Sequence, residues 1–283
     1  MNRNTLGTLY IVATPIGNMQ DITFRAIEVL KTVDCIVAED TRHSHALLQN
    51  YGIQTPTSAL HEHNEKDRAE ALLKKLEAGE SIALISDAGT PLISDPGYHL
   101  VKIVREFGAR VVPIPGACAA IAALSAAGLP TDRFIFEGFL PAKSAARKHR
   151  FEQVKQESRT LVFYEAPHRI QEFLQDALDV FGNARTAVIA RELTKLFETI
   201  TSGTLDELAQ FVQQDKNQQK GEMVVLIDGL REVSADLHNE CDRLLGILLE
   251  SLSLKQSVEL VTKITGLKKN TVYNAALKLK PNE

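Results

Sequence analysis

Side chains that can move a proton or neutralise a negative charge recur directly after apolar segments of this 283-residue chain. A carboxylate in such a position can act as a general base, and a guanidinium or ammonium group can stabilise a developing oxyanion. Each candidate also has a structural interpretation, since Glu39 and Arg42 can pair with each other, and Glu165 and Arg169 have the i,i+4 spacing of a helix pair. Four residues are our catalytic candidates: Asp40, Arg42, Glu165 and Lys195.

Four unusual turns follow apolar segments in the first half of the chain, and the second of them contains Asp40 and Arg42. Glycine lets a backbone approach a ligand closely, whereas proline fixes φ and limits the entropy lost on binding. In an open parallel sheet, ligands bind beyond the carboxyl ends of the strands, where such turns lie. In the third turn, we expect Asp95 to cap the next helix, with Pro96 as its first residue. The turns that predict a ligand site are TPIGN (14–18), AEDTRH (38–43), DAGTPLISDPG (87–97) and IPGACAA (114–120).

The elements that must position these turns alternate along the first half of the chain. TLYIVAT, CIVAED and SIALISD are short apolar runs, typical of strands covered on both faces, and the segments between them have apolar residues three and four apart. This alternation predicts an α/β fold with a largely parallel sheet. In the second half, RTAVIAREL and FETITSG are nearly contiguous and indicate a hairpin, so a mixed sheet is expected there.

Length and composition fit three structural units. We place an N-terminal α/β domain at 1–129, a second α/β domain at 130–232 and a helical tail at 233–283. No apolar run is long enough to span a bilayer, and the N-terminus lacks the features of a signal peptide. We therefore expect a cytoplasmic protein that does not contact a membrane.

Positive charge is concentrated in two places, although the net charge is −4. From residue 253 to the end there are six lysines against two glutamates, and PAKSAARKHR forms a second basic cluster. Both can bind nucleic acid, or each can simply be a solvated helix face. The residues with which we expect RNA to interact are Lys143, Arg147, Lys148, Arg150, Arg169, Lys263, Lys268 and Lys269.

Common cofactor and metal signatures are absent from the sequence. There is no G-x-G-x-x-G after a strand and no G-x-x-x-x-G-K-[ST], so nothing is built to clamp a pyrophosphate. His61 and His63 lack the spacing of a metalloprotease helix, and the three cysteines are far apart. We therefore predict no metal site and a ligand without phosphate.

The ordered motifs of residues 6 to 283 resemble those of the tetrapyrrole methylase superfamily, the class III S-adenosylmethionine-dependent methyltransferases. Within it they resemble the bacterial branch that methylates the ribose 2'-oxygen of a decoding-region cytidine in 16S ribosomal RNA. The resemblance implies two α/β domains with S-adenosylmethionine in the cleft between them, a homodimer, and a substrate in the small ribosomal subunit. The motifs that carry it are TPIGNMQDIT, AEDTRH, SDAGTPLISDPG, PIPGACAAIAALSAAGLP, FYEAPHR, ARELTK and GEMV.

The resemblance also implies which residues hold the cofactor. The first and third turns would contact it, the turn before the Ala-rich helix would adjoin it, and the second domain would close over it. The implied residues are Pro15, Gly17, Asp87, Ala88, Gly89, Thr90, Pro91, Cys118, Ala119, Tyr164, Arg191, Glu192 and Leu193.

A methyl transfer to a ribose hydroxyl needs one positioned acceptor oxygen and one base. We expect Asp40 or Glu165 to handle the proton or to orient a partner, while Arg42, Arg169 and Lys195 contact substrate phosphates. Two alternative functions remain compatible with the sequence. One is a methyltransferase acting on a tetrapyrrole, and the other is a non-enzymatic regulator in which KITGLKKNTVYNAAL is a DNA-binding helix-turn-helix.

Overall fold

The computed structural model describes residues 6–60, 65–230 and 235–279. The chain divides into two compact units, Met1–Gly229 and Leu230–Glu283. The first unit contains both predicted α/β domains, and their division between residues 129 and 130 stays a prediction. The predicted boundary between residues 232 and 233 lies outside the described residues, as do His61 and His63.

The first half of unit 1 contains a five-stranded sheet in which every adjacent pair of strands is parallel. The strand order is β3-β2-β4-β1-β5, so the carboxyl ends of all five strands meet at one edge. Its elements are β1 (Thr8–Val12), α1 (Phe24–Thr32), β2 (Cys35–Ala38), α2 (Thr41–Asn50), β3 (Thr57–Ala59), α3 (Glu65–Glu77), β4 (Ile82–Ile85), α4 (Tyr98–Phe107), β5 (Arg110–Ile114) and α5 (Ala119–Ala126).

Local sequence explains most of these elements. Strands β2 and β4 are buried at every position, as continuous apolar runs predict for strands covered on both faces. The side chain of Thr23 caps α1 by accepting from the N–H of Ala26, and Asp40 caps α2 by accepting from the N–H of Arg42. Strand β3 was not expected, because its three residues, TSA, have no apolar run and lie at the edge of the sheet.

The second half of unit 1 contains a mixed sheet, as predicted. Its order is β6-β7-β10-β8-β9, with β6 and β7 parallel and the other neighbours antiparallel, including the expected β8–β9 pair. A bulge at Gly138, where φ is +64°, bends β6. Its elements are β6 (Phe134–Phe139), α6 (Ser144–Val154), β7 (Thr160–Glu165), α7 (Ile170–Phe181), β8 (Thr186–Arg191), β9 (Thr199–Thr204), α8 (Leu205–Gln214) and β10 (Met223–Ile227).

The Ala-rich helix α5 joins the two halves of unit 1. Its buried residues Ala120, Ala123 and Leu124 pack in one cluster with residues of β7, β8 and β10, among them Val162 and Leu226. Because alanine has the smallest apolar side chain, the helix axis can approach the second sheet closely. This packing fixes the turn before α5 against the second sheet.

Unit 2 is helical and has its own core. Helices α9 (Ala235–Leu249), α10 (Leu254–Thr265) and α11 (Lys269–Leu279) enclose buried Leu245, Val258 and Val272. Ser253 begins α10 with a capping box, and Gly266 ends it in the left-handed conformation. In the described parts of the chain, no helix is both long and apolar enough to cross a membrane.

Candidate functional site

A cavity of about 460 Å³ lies at the carboxyl edge of the parallel sheet, facing the second sheet. Its volume falls in the range of small-molecule sites. Each of the four predicted turns contributes at least one residue to its wall, and residues at the ends of β6, β7, β8 and β10 and in the adjoining loops contribute the rest. The residues predicted from the sequence that line it are Asp87, Ala88, Gly89, Thr90, Cys118, Ala119, Tyr164, Glu165 and Leu193.

The third turn is held rigidly against its neighbours. Gly89 and Thr14 exchange two backbone hydrogen bonds of 2.8 and 3.0 Å, so the turn after β4 is bridged to the turn after β1. The hydroxyl of Thr90 donates to the carbonyl of Ala117 at 2.9 Å, which ties it to the turn after β5. Gly89 has a φ of +81°, a backbone conformation that glycine adopts without a steric penalty. The site is therefore preshaped.

The second half of the third turn does not cap α4, so this prediction was wrong. The N-cap is Gly97, without a side-chain hydrogen bond, and the helix begins at Tyr98. The reason is the backbone: Leu92 and Ser94 are left-handed, with φ of 74° and 69°, and they turn Asp95 towards the cavity instead. Non-glycine residues rarely adopt this conformation, which in native proteins is concentrated at functional sites.

In the loop after β8, two left-handed residues again flank one residue with ordinary backbone conformation. Glu192 and Thr194 are left-handed, with φ of 52° and 66°, and Leu193 between them lines the cavity. The ammonium of Lys195 lies 2.9 Å from carboxylate oxygens of both Glu192 and Glu222, which holds this loop against the start of β10. Lys195 is thus engaged by two carboxylates and does not line the cavity.

Several predicted residues support the site from outside the cavity wall. Arg191 is buried, and its guanidinium donates to the hydroxyl of Thr199 and to the carbonyls of Phe197 and Lys220, so it closes the loop instead of facing the ligand. A side chain at Gly17 would lie 2.5 Å from Cγ of Lys195. The predicted residues outside the wall are Pro15, Gly17, Asp40, Arg42, Pro91, Arg191, Glu192 and Lys195.

Asp40 and Arg42 form an exposed ion pair. Nη2 of Arg42 lies 2.6 Å from Oδ2 of Asp40, and the Asp40 carboxylate also accepts the N–H of Arg42. The hydrogen bonds from the Arg42 side chain hold the pKa of Asp40 far below its usual range. A carboxylate with so low a pKa is a poor proton acceptor, so this geometry favours a capping role for Asp40.

Glu165 lines the cavity but is neutralised by Arg169. Its fully buried carboxylate accepts from Nη2 of Arg169 at 3.0 Å and from the N–H of Ala166 at 2.7 Å. Arg169 also donates to the carbonyl of Leu140 at 2.8 Å. Both candidates therefore stabilise the end of β7, and Arg169 is not free to bind a phosphate.

Tyr164 joins the second sheet to the site. Its hydroxyl accepts the N–H of Ala120 at 3.1 Å, and its ring packs edge-on against Phe136 and Phe139. Burial raises the pKa of Tyr164, so the phenol is neutral at physiological pH. Phe139 is 56% exposed at the wall of the cavity.

Among the described residues, five carboxylates line the cavity, and no lysine, arginine or histidine does. Asp87 is held by Nδ1 of His43 at 2.8 Å, and that hydrogen bond raises the pKa of His43. Burial raises the pKa of Glu39, and it raises the pKa of Asp95 to about 6. The cavity is therefore suited to a ligand that carries positive charge and has substantial apolar surface.

Some lining residues were not assigned to the site by sequence reasoning. Those in the turns had a usable signal, because they adjoin predicted residues. Those of the second half lie in the motifs FYEAPHR, ARELTK and GEMV, with the exception of Phe139 of β6, which only the tertiary fold brings to the cavity. The unassigned lining residues are Ile16, Glu39, Ile93, Ser94, Asp95, Phe139, Ala166, Pro167, Ala190, Glu222, Met223 and Val224.

The basic cluster of α6 is largely paired within the fold. The side chain of Arg147 is fully buried, and Nε donates to Asp176 at 2.7 Å, so its expected contact with RNA is wrong. Lys148 pairs with Asp179 at 2.5 Å, and Arg150 pairs with Glu137 at 2.6 Å. Lys143 is exposed at the N-cap of α6. Within this cluster, Lys143 remains the residue best placed to contact a polyanion.

The predicted lysines of unit 2 are exposed. Lys263 pairs with Glu259 one helical turn away at 2.9 Å, and Lys268 and Lys269 lie at the start of α11. Helix α10, the turn at Gly266 and helix α11 form a helix-turn-helix arrangement. Among the described residues, no group of three or more His, Cys, Asp or Glu is arranged to hold a metal ion.

Comparison with known protein families gives two matches that cover both units. The model of the tetrapyrrole (corrin/porphyrin) methylases matches residues 8–209. The model of an RsmI C-terminal HTH domain matches residues 235–280.

Curated relatives match over nearly the full chain. A protein of Pseudomonas aeruginosa is 57% identical over 273 residues, which are 96% of this chain and 97% of the relative. A protein of Escherichia coli O157:H7 is 54% identical over 274 residues, which are 97% and 96% of the two chains. Both are named ribosomal RNA small subunit methyltransferase I.

Solved structures share the fold at low sequence identity. A cobalt precorrin-4 methyltransferase has a TM-score of 0.57 at 14% identity and covers 78% of this chain and 94% of its own. Diphthine synthase has a TM-score of 0.61 at 13% identity, covering 78% and 90%. A uroporphyrin-III C-methyltransferase from Thermus thermophilus, complexed with S-adenosyl homocysteine, has a TM-score of 0.54 at 18% identity, covering 79% and 98%.

Proposed function

The chain belongs to the ribosomal RNA small subunit methyltransferase I family within the tetrapyrrole methylases, and we propose on this premise that it methylates 16S ribosomal RNA with S-adenosylmethionine as methyl donor. More specifically, we propose that the acceptor is the ribose 2'-oxygen of a cytidine in the decoding region. The observation that carries the proposal is the cavity at the edge of the parallel sheet, formed by all four predicted turns.

The lining of the cavity fits this donor. S-adenosylmethionine carries a sulfonium charge and no phosphate, and in the part of the chain that the structure describes the wall has five carboxylates and no cationic side chain. Leu193, Met223 and Val224 supply apolar surface for a purine, and the rigid backbone around Gly89 leaves room for a ligand to approach. The volume of about 460 Å³ is adequate for a molecule of this size.

The donor supplies an activated methyl group, so the protein has two tasks. It must hold the acceptor oxygen in line with that group, and it must accept one proton. The turns at Gly89 and Cys118 hold the reactants because the hydroxyl of Thr90 donates to the carbonyl of Ala117, while the backbone of Gly89 is bonded to that of Thr14. Tyr164 stabilises the start of α5 through Ala120 and thereby maintains the second wall.

The same electrostatics disfavour a tetrapyrrole substrate. Porphyrin and corrin precursors carry several carboxylate side chains, which would be repelled by Glu39 and Asp95, the two lining carboxylates without an ion pair among the described residues. A regulator whose α/β part senses a ligand could also use this cavity, but the curated relatives are named methyltransferases. The helix-turn-helix match instead supports a nucleic-acid contact by unit 2, and Lys263, Lys268 and Lys269 are exposed there.

We further propose a homodimer that acts on the assembled small subunit in the cytoplasm. Apolar side chains that a second copy can cover include Phe24 and Leu196, each 89% exposed, and Phe197, which is 66% exposed. Large apolar side chains with this exposure are candidates for burial in a protein interface. Sedimentation of the full chain measures the oligomeric state directly.

Methyl transfer to defined substrates tests the proposal. The protein should be incubated with radiolabelled S-adenosylmethionine and, separately, with small subunits, free 16S ribosomal RNA and porphyrinogen precursors. We expect label in 2'-O-methylcytidine of the subunit RNA, identified by nucleoside mass spectrometry. Label in a tetrapyrrole, or in a nucleobase instead of a ribose, would reject the proposed acceptor.

A further inference from the structure

Asp95 differs from most other carboxylates of the cavity in its partners. Glu165 is paired with Arg169, Glu222 with Lys195, and Asp87 with His43. Among the residues that the structure describes, Asp95 has no ion-pair partner, and its carboxylate is hydrogen-bonded to the side chain of Ser86. A carboxylate without a cation retains its capacity to accept a proton from a bound substrate.

The backbone that places Asp95 is unusual and tightly fitted. Leu92 and Ser94 are left-handed, and a side chain at Gly97 would lie 2.8 Å from Cδ2 of Leu84. Because left-handed backbone is unfavourable for non-glycine residues, the surrounding contacts must hold this segment in place. The effect is that Asp95 points into the cavity instead of capping α4.

The same segment touches the second sheet beside an exposed aromatic ring. A side chain at Gly138 would lie 3.0 Å from Oγ of Ser94, so the bulge of β6 and the loop are in close contact. Asp95 follows Ser94 in sequence, and Phe139 follows Gly138. Both line the cavity, and Phe139 is 56% exposed. A nucleotide whose base stacks on Phe139 can therefore bring its ribose to the Asp95 side of the cavity.

We propose that Asp95 is the general base that accepts the proton of the ribose 2'-hydroxyl. The inference rests on the proposed function. The bond between the 2'-oxygen and the methyl carbon forms as the bond between that carbon and sulfur breaks, and the electron pair of the broken bond stays on sulfur. The hydroxyl proton moves to the carboxylate of Asp95. A positive and a negative charge are thereby neutralised together, which a partly buried cavity favours.

The electrostatic environment suits this role. Burial raises the pKa of Asp95 to about 6, and Glu39 and Asp87 add to the increase. Asp95 is therefore ionised at neutral pH, yet it binds a proton more tightly than an ordinary aspartate does. The titratable groups that share the cavity wall with it are Glu39, Asp87, Cys118, Tyr164, Glu165 and Glu222.

The test compares Asp95→Asn, Asp95→Glu and Glu39→Gln with the wild-type chain on small subunits between pH 5 and pH 9. For Asp95→Asn we expect kcat to fall by about 10²- to 10⁴-fold, the usual contribution of a general base, and for Asp95→Glu a partial recovery. The wild-type kcat should rise with pH through about 6, and this rise should be absent from Asp95→Asn. Asp132→Asn, a matched change at a residue that is 77% exposed, serves as the control.

Binding measurements separate a base from a residue that only attracts the donor. Calorimetry with S-adenosylmethionine and with S-adenosylhomocysteine, which lacks the sulfonium charge, should give Kd values within about threefold of wild type for both ligands in Asp95→Asn. A selective loss of S-adenosylmethionine affinity would overturn the inference, as would a retained kcat, or loss of the pH-dependent rise in Glu39→Gln alone. Carboxylate NMR of the ligand-free chain should show Asp95 titrating near pH 6.

The wild-type product reports separately on the proposed function. If it contains 2'-O-methylcytidine while Asp95→Asn is as active as wild type, the role of Asp95 fails and the proposed function stands. If the wild type makes no ribose-methylated nucleoside, both fail.

Discussion

The backbone N–H of Ala120 donates a hydrogen bond of 3.1 Å to the hydroxyl of Tyr164. Ala120 is the second residue of α5, which follows the parallel sheet, whereas Tyr164 lies on β7 of the mixed sheet. One hydroxyl therefore satisfies a free donor at the helix start and connects the two sheets where they face the cavity.

Replacing Tyr164 by Phe tests this connection. The N–H of Ala120 loses its acceptor, so the free energy of unfolding should fall by about 1–3 kcal/mol, and the donor should bind more weakly because α5 is less firmly held. Urea denaturation and calorimetry with S-adenosylmethionine measure the two effects. Tyr10→Phe, at a tyrosine of β1 that does not line the cavity, is a matched control. Unchanged stability and affinity in Tyr164→Phe would show that the hydrogen bond contributes nothing to either.

Gly89→Ala should weaken donor binding while the fold is retained. An added Cβ would lie 3.3 Å from Cγ2 of Ile16, and the φ of +81° is unfavourable for alanine, so the bridged turn must shift. Gly108→Ala is the matched control, because Gly108 has a φ of +88° with open space around it at the end of α4. Both variants should lose about 1 kcal/mol of stability. Calorimetry that finds equal donor affinity in the two variants would contradict the placement of Gly89 beside the ligand.

Arg147→Met should destabilise the protein without a specific effect on RNA. The change leaves the buried carboxylate of Asp176 with the hydroxyl of Ser144 at 2.8 Å and the ammonium of Lys148 at 3.5 Å, so we expect a loss of about 3 kcal/mol in the free energy of unfolding. Lys143→Met removes an exposed charge and should leave stability within about 0.5 kcal/mol of wild type. Chemical denaturation measures both. A stable Arg147→Met with reduced RNA affinity would restore the original expectation for this residue.

The exposed lysines of unit 2 predict a salt-dependent RNA contact. Replacing Lys263, Lys268 and Lys269 by Gln should weaken binding to the small subunit and reduce the slope of log affinity against log salt by about 0.7 to 0.9 per lost contact. Affinity for the donor should not change. Lys31, Lys74 and Lys102, all exposed in unit 1, give a control triple variant with the same change in charge. Equal slopes in the two triple variants would assign the tail a packing role.

The pH dependence of stability follows from the perturbed carboxylates. Because the folded pKa of Asp95 is about 6, above the ordinary value of 3.8, its ionised form destabilises the fold, and this cost appears as the pH rises through 6. Asp95→Asn should therefore have a higher Tm than wild type at pH 8, and the difference should shrink towards pH 4.5. Asp34→Asn should behave oppositely, because the Ser81 N–H bonded to the carboxylate lowers the pKa of Asp34. Scanning calorimetry at several pH values measures both, and a Tm of Asp95→Asn below wild type at pH 8 would contradict the assignment.

Local patterns in the sequence were sufficient to predict the alternation of strands and helices. They also predicted the edge of the sheet at which the site lies. Buried runs such as Cys35–Ala38 and Ile82–Ile85 have no other stable place than a sheet covered on both faces. Parallel strands align their carboxyl ends, so the four turns had to meet. Edge strand β3 escaped prediction because its pairing with β2 depends on a neighbour and not on its own residues.

Which charged side chains are free could be decided only by the tertiary structure. From the sequence, Arg147 is predicted to belong to a basic surface cluster. In the structure it is paired with Asp176, which lies 29 positions further along the chain. From the sequence, Lys195 is predicted to be a catalytic cation. In the structure, Glu222, 27 positions away, helps to hold it outside the cavity. Asp95 has the sequence of a helix cap, yet two left-handed residues before it turn it into the cavity. Local sequence specifies backbone conformation and burial pattern because these depend on near neighbours, whereas the state of a charge depends on groups that only folding brings within a few ångströms.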